Sequence, residues 1–377
     1  MTARSKLKIL HVMRAPVGGL FRHVLDLAEG QAARGHQVGI VVAQTEPGSV
    51  ADARLNAPGN RLALGVNRIP MQRGLGLADA TAIRHVSKVI AATEPDVIHG
   101  HGAKGGAYGR LARSSGIRVY TPHGGSLHYG RRTPQGLIYG AAERILMRRT
   151  DLFLFESDFA RSTYQASIGR PRALVRVVPN GVSAAEFEPI NQREAPTDIV
   201  SIGELRYIKG IDVLIEAIAQ LQAAGREVTA TIVGEGPDGA PLRQLAMEHG
   251  LSDTIRFAGF QPARQGFSLG RILIVASRAE SLPYIVLEAA AANVPMIATN
   301  VGGIPEIFGA RDFLIPPGDV LALRRAIAAA LDDLPTARAA ASQLRERVRC
   351  LFSQDSMVKG ILGAYDEAIA AKFHRSQ

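Results

Sequence analysis

The sequence predicts an α/β protein with two doubly wound parallel sheets that face a central cleft. The first observation is that short apolar segments alternate with longer segments of helical periodicity along the 377 residues. The second is that this alternation stops in the polar, proline-bearing segment 183–197 and then starts again. Strands that alternate with helices form parallel sheets covered on both faces. Such sheets bind ligands beyond the carboxyl ends of their strands.

The pattern places each element in order. Before the polar segment it predicts strands at 8–13, 37–43, 96–99, 117–121, 152–155 and 175–178, and helices at 20–34, 78–92, 104–114 and 134–149. After it, strands are predicted at 199–202, 228–233, 255–257, 272–276 and 296–298, with helices at 211–223, 240–248, from Pro283, and at 320–331. Two more helices are expected in 336–373. We therefore predict domains at 1–185 and 186–355, followed by a final helix at 356–377.

Composition narrows the class of protein. Hydrophobic residues make up 46% of the chain, which is typical of a globular protein. The single cysteine, Cys350, excludes an intrachain disulfide framework and favours a reducing cytoplasm. Residues 1–14 indicate a basic lead-in to a first strand rather than a signal peptide. No run of about twenty apolar residues predicts a membrane span.

The positive charge is concentrated in the first half. Of the net +10, residues 1–190 carry 25 Lys or Arg against 13 Asp or Glu. This favours an acidic partner, such as an anionic bilayer or a phosphorylated acceptor, although a solvated arginine-rich surface explains it equally well. Nucleic acid is disfavoured because there is no Trp and no recognisable helix-turn-helix or zinc-ligand spacing.

Two glutamates carry the strongest functional signal. Glu280 lies in the loop Ala279–Pro283, and Glu288 lies five residues past Pro283 in an Ala-rich segment. Proline is favoured at the first helical position, so Glu280 is expected just outside a helix and Glu288 within its first two turns. A helix N-terminus suits an anion. Carboxylates beside such a site predict a ligand with phosphates and hydroxyls, such as a nucleotide sugar.

Two glycine-containing loops of the second block are further candidates. The first block-two strand is followed by Gly203, Arg206 and Lys209, whose cations suit a diphosphate. Gly234 begins the motif Gly-Glu-Gly-Pro-Asp-Gly, which has the spacing of a dinucleotide fingerprint. No acidic residue ends the next strand to hold a ribose, so a phosphate- or nucleoside-contacting turn, or a plain tight turn, is favoured over NAD binding.

Histidines end two strands of the first block. His123 follows a predicted strand and precedes two glycines, where it could donate a hydrogen bond to a developing charge or orient a sugar hydroxyl. His99 and His101 end the neighbouring strand, and structural hydrogen bonding is their default interpretation. The alternative is a metal site, but no acidic or thiol ligand accompanies them, and we predict none. The turn at Val301–Glu306 is open to a purely structural interpretation.

Taken together, these motifs resemble the retaining glycosyltransferases of the GT-B fold, family 4, also called group 1. The resemblance adds the segments Val178–Val182 and Ile315–Asp319 and covers almost the whole chain. One departure is that the usual G-R-L loop is Gly-Glu-Leu-Arg, which moves the cation to Arg206.

The resemblance implies two Rossmann-like domains and a role for each motif. It implies that Glu280 contacts the transferred sugar, that His123 lies beside that sugar, and that Glu288 holds the ribose. It implies an acceptor-binding N-terminal domain, a donor-binding C-terminal domain and a last helix that crosses back to the first domain. The remaining donor-binding residues that we predict are Lys209, Arg206, Gly18, Gly19, Ser281, Leu282 and Gly234.

The expected reaction is hexose transfer from a UDP- or GDP-sugar to a glycan or polyprenyl-linked acceptor, without cofactor or metal, in surface polysaccharide or lipopolysaccharide assembly. Glu280 would act as nucleophile or as electrostatic stabiliser. A basic cluster is the candidate contact with the acceptor or the inner face of the cytoplasmic membrane: Arg131, Arg132 and Arg148, with Arg144 and Arg149 nearby. The alternatives are a nucleotide-sugar epimerase of the same fold, a nicotinamide-dependent oxidoreductase and a non-catalytic nucleotide-sugar-binding protein.

Overall fold

The structure is a computed structural model that describes residues 6–59, 61–72, 74, 76–124, 134–191, 193–309 and 313–376. The chain divides into two compact units. The N-terminal domain comprises Met1–Gly181 together with Gln354–Gln377, and the C-terminal domain comprises Val182–Ser353. The last segment of the chain therefore belongs to the N-terminal domain.

Within the described residues, the N-terminal domain contains a seven-stranded parallel sheet of order β3-β2-β1-β4-β5-β6-β7. Its strands are β1 (Lys8–Val12), β2 (Gln37–Ala43), β3 (Gly65–Ile69), β4 (Val97–His101), β5 (Ile117–Thr121), β6 (Leu152–Phe155) and β7 (Leu174–Val177). Its helices are α1 (Gly18–Ala32), α2 (Val50–Gly59), α3 (Ala78–Thr93), α4 (Gly102–Leu111), α5 (Pro134–Met147), α6 (Asp158–Ser167) and the final α14 (Gln354–Ser376). The chain progresses in one direction from β1 to β3 and in the other from β4, so the switch point lies between β1 and β4.

The final helix completes the hydrophobic core of the N-terminal domain. Val358, Ile361 and Tyr365 of α14 are buried in one cluster with Ile9 of β1 and Val119 of β5. A parallel sheet must be covered on both faces, and the residues of α14 cover part of one face. Apolar burial of this kind stabilises by about 25 cal/mol per Å².

The described part of the C-terminal domain forms a five-stranded parallel sheet of order β10-β9-β8-β11-β12. Its strands are β8 (Thr197–Ile202), β9 (Ala230–Val233), β10 (Ile255–Phe257), β11 (Gly270–Val275) and β12 (Met296–Ala298). Its helices are α7 (Ile211–Ala223), α8 (Gly239–Glu248), α9 (Ala263–Phe267), α10 (Tyr284–Ala291), α11 (Ile304–Phe308), α12 (Val320–Asp332) and α13 (Leu334–Leu351). Here the chain reverses its direction of progress between β8 and β11, which makes this pair of strands the switch point.

The prediction of two parallel α/β sheets is confirmed, but some elements were missed. The segments α2, β3, α6, α9 and α11 have no counterpart in the predicted set. Helix α6 buries only Ala160 and Tyr164, so its apolar periodicity is faint, and its visible signal is the cap in which Ser157 accepts from the N–H of Ala160. Strand β3 lies at the edge of its sheet and buries only Ile69. Pro283, predicted as a first helical residue, is instead the residue before α10.

No helix within the described ranges has the length and apolar character needed to cross a bilayer.

Candidate active site

The first candidate site lies at the carboxyl edge of the C-terminal sheet. Strands β8 and β11 pair in parallel, so the loops that follow them begin at the same edge. Lys209 lies in the loop after β8, in the turn before α7, and Glu280 lies in the loop after β11. These two loops flank the switch point, where doubly wound sheets bind ligands.

The structure brings Lys209 and Glu280 into direct contact. Lys209 Nζ lies 2.5 Å from Glu280 Oε1, and Ser277 Oγ donates to the same oxygen at 2.7 Å. The Glu280 side chain is 10% exposed and that of Lys209 is 25% exposed. Thr299 Oγ1 in turn donates to the backbone oxygen of Ser277 at 2.6 Å. The carboxylate is therefore held in one orientation by a cation and a hydroxyl.

The turn at residues 301–306 supports the loop that carries Glu280. Gly302 has a φ of +61°, and a Cβ at that position would lie 2.1 Å from the backbone oxygen of Glu280. The N–H of Gly303 donates to the backbone oxygen of Ser281 at 2.6 Å. Two glycines are needed here because one adopts a left-handed conformation and lets two backbones approach closely. The structural interpretation of this turn agrees with these contacts.

Helix α10 places the second glutamate. Glu280 precedes the first residue of α10, Tyr284, by four positions, and Glu288 lies in the second turn of the helix. Glu288 is 7% exposed. The expected positions of both carboxylates relative to the helix N-terminus are thus observed, although the helix begins one residue later than predicted. Ser281 and Leu282 lie in the connection between Glu280 and α10.

Arg206 lies apart from the Lys209–Glu280 pair. Its guanidinium is 3.6 Å from Glu204, and both side chains are largely exposed. Arg206 and Tyr207 also line a groove of about 430 Å³ whose other lining residues belong to α7, α8 and the turn before α8. The neighbouring cation Arg278 is taken up by a bidentate pair with Asp212, at 2.7 and 2.6 Å.

The glycines of the motif that begins at Gly234 have a structural reason. A Cβ on Gly234 would lie 1.8 Å from the backbone oxygen of Gly203, and one on Gly236 would lie 2.4 Å from that of Leu205. These glycines let the loop after β9 pack against the backbone of the loop after β8. The motif thus shapes the loop that carries Lys209, which agrees with the tight-turn interpretation.

The second candidate site is a cluster of histidines at the switch point of the N-terminal sheet. His11 on β1 is the register partner of His99 on β4, and His101 follows two residues later on the same face of the sheet. His123 follows β5, with a φ of +51°, and His23 comes from α1. These five histidines are the cluster's members, and all except the half-buried His123 are buried.

Hydrogen bonds connect most of these rings. His11 Nδ1 lies 3.0 Å from His101 Nε2, and His101 Nδ1 lies 3.1 Å from His123 Nε2. His99 bonds Tyr365 and Thr121, at 2.7 and 2.8 Å. The default of structural hydrogen bonding for His99 and His101 therefore agrees with the contacts.

His23 is held by the segment Val178–Val182. Its Nδ1 lies 2.9 Å from the side-chain oxygen of Asn180, and its Nε2 is buried without a hydrogen-bond partner among the described residues. Its ring stands edge-on to that of His123, with centroids 4.8 Å apart. The Val-Pro-Asn-Gly motif thus supplies an amide that orients one member of the cluster.

Burial keeps the cluster neutral. Desolvation lowers the pKa of His11 to about 4 and that of His123 to about 3. Desolvation, followed by repulsion from neighbouring histidines, also lowers the pKa values of His23, His99 and His101 well below the usual value. At neutral pH each ring therefore has one N–H and one lone pair.

Two triads in the cluster have the chemistry to hold a metal ion. One ring nitrogen of each member lies within 4.8 Å of the others in His11, His99 and His101, and again in His23, His101 and His123. Neutral imidazoles suit zinc and similar metals. The absence of a metal from the reaction stays a prediction.

The remaining predicted residues lie elsewhere in the N-terminal domain. Gly18 and Gly19 begin α1, and Gly18 has a φ of +67°. Arg148 and its neighbours Arg144 and Arg149 are exposed at the end of α5. Arg131 and Arg132 lie outside the described residues.

Sequence reasoning missed His11, His23 and the buried pair Arg110–Glu143. Arg110 donates to both oxygens of Glu143, at 3.0 and 2.8 Å, and lies over the ring of Tyr120. A lone arginine in one helix and a lone glutamate in another give no local signal of pairing. For His11 the available signal was its place on a strand next to that of His99.

Family models match both domains. The model described as Glycosyl transferases group 1 matches residues 182–347, and the model described as Glycosyltransferase Family 4 matches residues 17–186. A protein named as a glycosyltransferase, EpsD of Bacillus subtilis, is 32% identical over 65% of this chain and 69% of its own length. The chain is a group 1 glycosyltransferase. It is an enzyme of this class, with the GT-B fold.

Other relatives of this glycosyltransferase differ in length and in the substrates that their names state. Glycogen synthase of Mycobacterium tuberculosis is 27% identical over 94% of this chain and 92% of its own length. A phosphatidylinositol N-acetylglucosaminyltransferase of Arabidopsis thaliana is 30% identical over 53% of this chain. The match spans 46% of that protein, so the chain covers about half the length of this relative.

Solved structures share the fold. Sucrose-phosphate synthase from Thermosynechococcus elongatus has a TM-score of 0.81 at 22% identity, over 97% of this chain and 100% of that chain. HepE of Anabaena, solved in complex with UDP and glucose, has a TM-score of 0.80 at 20% identity, over 96% of this chain and 100% of its own.

Proposed function

We propose that this glycosyltransferase moves a hexose from a UDP- or GDP-sugar to a hydroxyl of a sugar or lipid-linked acceptor, with retention of the anomeric configuration. The observation that carries the proposal is the position of Glu280. Its carboxylate is fixed beside Lys209 at the switch point of the C-terminal sheet, four residues before the helix that bears Glu288. A nucleotide-sugar donor is further supported by the complexes of HepE with UDP and with UDP-glucose.

In this proposal the diphosphate is bound by charge on two elements. Lys209 supplies a cation, and the N-terminus of α10 supplies the partial positive charge of a helix dipole. Negative charge grows on the diphosphate as the sugar departs, so these groups stabilise the transition state more than the ground state. No metal ion is needed for that step.

Glu280 acts on the transferred sugar. Both hydrogen bonds to its carboxylate that involve described residues, from Lys209 and Ser277, engage Oε1. The other oxygen, Oε2, is then the atom that faces the substrate. A carboxylate oxygen there stabilises an oxocarbenium-like transition state or attacks the reacting carbon, and the geometry is compatible with both.

Glu288 accepts the ribose hydroxyls of the donor nucleotide. An ionised carboxylate accepts and does not donate, so it suits a pair of hydroxyl donors. Its place in the second turn of α10 keeps it one helical segment away from the phosphate end of the ligand.

The ribose assignment is tested by nucleotide binding to E288Q. Hydrogen bonds to a charged group contribute about 1.5–3 kcal/mol, so we expect UDP or GDP to bind roughly 10- to 100-fold more weakly. The loss should shrink for the 2′-deoxy nucleotide, which lacks one of the hydroxyls. The control is E216Q, which changes an exposed glutamate on α7. Equal losses for the ribo- and deoxyribonucleotide would contradict the assignment.

The reaction is tested with E280Q and labelled donor. We expect wild-type protein to transfer the label when an acceptor is supplied, and E280Q to lose nearly all turnover while still binding the nucleotide. Conversion of the free donor into its epimer without an acceptor would instead favour the epimerase. Binding without any turnover by the wild type would favour a non-catalytic protein.

We further propose that α5 rests on an anionic membrane surface, consistent with a role in surface polysaccharide or lipopolysaccharide assembly at the inner face of the cytoplasmic membrane. Leu137, Ile138 and Ile145 of this helix are 62%, 57% and 66% exposed. Ile145 follows Ile138 by seven positions, so these side chains share one face with exposed Arg144 and Arg148. An apolar face with basic residues is typical of a helix that lies in the headgroup region.

Vesicle co-sedimentation tests the membrane proposal. Each basic residue near an anionic surface contributes about 1 kcal/mol, so R144Q/R148Q should bind phosphatidylserine vesicles about 30-fold more weakly. R325Q, on α12 of the C-terminal domain, is the control. Binding that is equal for anionic and zwitterionic vesicles would contradict the proposal.

A further inference from the structure

Three histidines and a glutamine form one hydrogen-bonded series in the N-terminal domain. His11 Nε2 lies 2.8 Å from Gln31 Oε1, His11 Nδ1 lies 3.0 Å from His101 Nε2, and His101 Nδ1 lies 3.1 Å from His123 Nε2. Gln31, His11 and His101 are at most 1% exposed. Water therefore does not substitute for any partner inside the series.

The acceptor at the buried end fixes the direction of the whole series. The amide oxygen of Gln31 can only accept, so His11 carries its proton on Nε2 and has a lone pair on Nδ1. His101 must then donate from Nε2, which leaves its Nδ1 as an acceptor. His123 must in turn donate from Nε2. Neutral rings that bond in sequence can reverse only together, because each has one N–H.

The outer end of the series is His123 Nδ1. Among the described residues no hydrogen-bond partner of this atom is recorded, and His123 is the half-buried member of the cluster. Its left-handed backbone, followed by Gly124 with a φ of +72°, places it at the carboxyl edge of the sheet where ligands bind. The low pKa values of His11 and His123, about 4 and 3, keep these rings neutral in the working range of pH.

We propose that Gln31 is a positioning residue that, through His11 and His101, holds His123 in the tautomer with a lone pair on Nδ1. His123 then accepts a hydrogen bond from a substrate hydroxyl and does not donate one to a developing negative charge. This inference rests on the proposed sugar transfer and decides between the two roles that its sequence leaves open. It requires no exchange of protons during the reaction.

The tautomers can be read directly by long-range ¹H–¹⁵N NMR of the full chain labelled at histidine, without substrate. We expect His123 to be protonated at Nε2 in the wild type. In Q31M and in H11F the series is cut at two different points, and a buried N–H would lose its acceptor. An orphaned N–H is less tolerated than an orphaned lone pair, so both variants should move the proton of His123 to Nδ1.

Y365F is the matched control. Tyr365 is buried in the same domain and bonds His99, which is not part of the series. Its loss should leave the tautomer of His123 unchanged even if the domain becomes less stable. A wild-type His123 protonated at Nδ1, or an unchanged tautomer in both Q31M and H11F, overturns the inference.

Turnover provides the second readout. The change from acceptor to donor should lower kcat of Q31M and H11F about 10-fold, which corresponds to one hydrogen bond, while KM for the donor stays the same. Y365F should retain the wild-type kcat. If Q31M and Y365F lose stability and kcat alike, Gln31 is merely structural and the inference is wrong. The E288Q binding result is independent of these measurements, so the failure of the proposed donor site is distinguished from the failure of this inference.

Discussion

Gly302 provides a direct test of how the loop that carries Glu280 is supported. Replacement by alanine has two consequences. At a φ of +61°, a side chain costs about 1–2 kcal/mol relative to glycine. The new Cβ would also lie 2.1 Å from the backbone oxygen of Glu280, about 1.3 Å short of an ordinary contact of 3.4 Å. Relief of such overpacking typically costs a further 1–3 kcal/mol.

We therefore expect G302A to lower the free energy of unfolding by about 2–5 kcal/mol. The matched control is G250A in the same domain, because Gly250 has a φ of +68° and nothing within 4 Å of its added Cβ. It isolates the backbone cost and should lose only about 1–2 kcal/mol. Urea denaturation followed by far-UV circular dichroism measures both values.

The same substitution should also affect catalysis. A displacement of about 1 Å at a reacting group typically costs about 100-fold in rate, so folded G302A should turn over roughly that much more slowly than G250A. Donor turnover at a temperature where both variants are folded measures the ratio. If G302A and G250A are equal in stability and in turnover, the contact with the Glu280 loop has no mechanical role and the reasoning is refuted.

Two further predictions concern the N-terminal domain. R110M should lower its stability by about 3–5 kcal/mol because Glu143, 3% exposed, loses both charged donors, whereas R110M/E143L should recover most of that loss; equal instability of both variants in urea would contradict this. Because the folded pKa of His11 is lowered to about 4 from about 6.5, the unfolded chain binds more protons between these values, and stability should fall as pH falls through that range. The contribution is about 1.4 kcal/mol per pH unit for each such histidine, against one opposing carboxyl, Asp26, whose pKa is raised to about 6. A thermal midpoint that stays constant from pH 6.5 to 5 would contradict the second prediction.

Local sequence signals were sufficient for the elements that bury one clear face. Helix α7 and strands β2, β5 and β6 begin and end at the predicted residues, because their apolar periodicity is strong and their ends have clear breakers. The helix at α6 and the edge strand β3 bury few side chains, so periodicity had little to report. The position of Glu280 and Glu288 around a helix start was also predictable, since a proline and an alanine-rich run lie next to each other in the chain.

The partners of the candidate residues were not predictable, because they are distant in sequence. Glu280 and Lys209 are 71 residues apart and meet because β8 and β11 are adjacent strands in a sheet. Gly302 supports Glu280 through a backbone contact that leaves no trace in residue type other than glycine.

The sequence by itself determined the α/β class, the family and the residues with suitable chemistry, because periodicity, turn residues and motif order are local properties of the chain. The tertiary structure alone decided which of them act together. His11, His101 and His123 come from three strands or the loops that follow them, and their tautomers depend on Gln31 of α1, since a hydrogen bond is set by distance in space. Strand order thus converts isolated histidines into one coupled series.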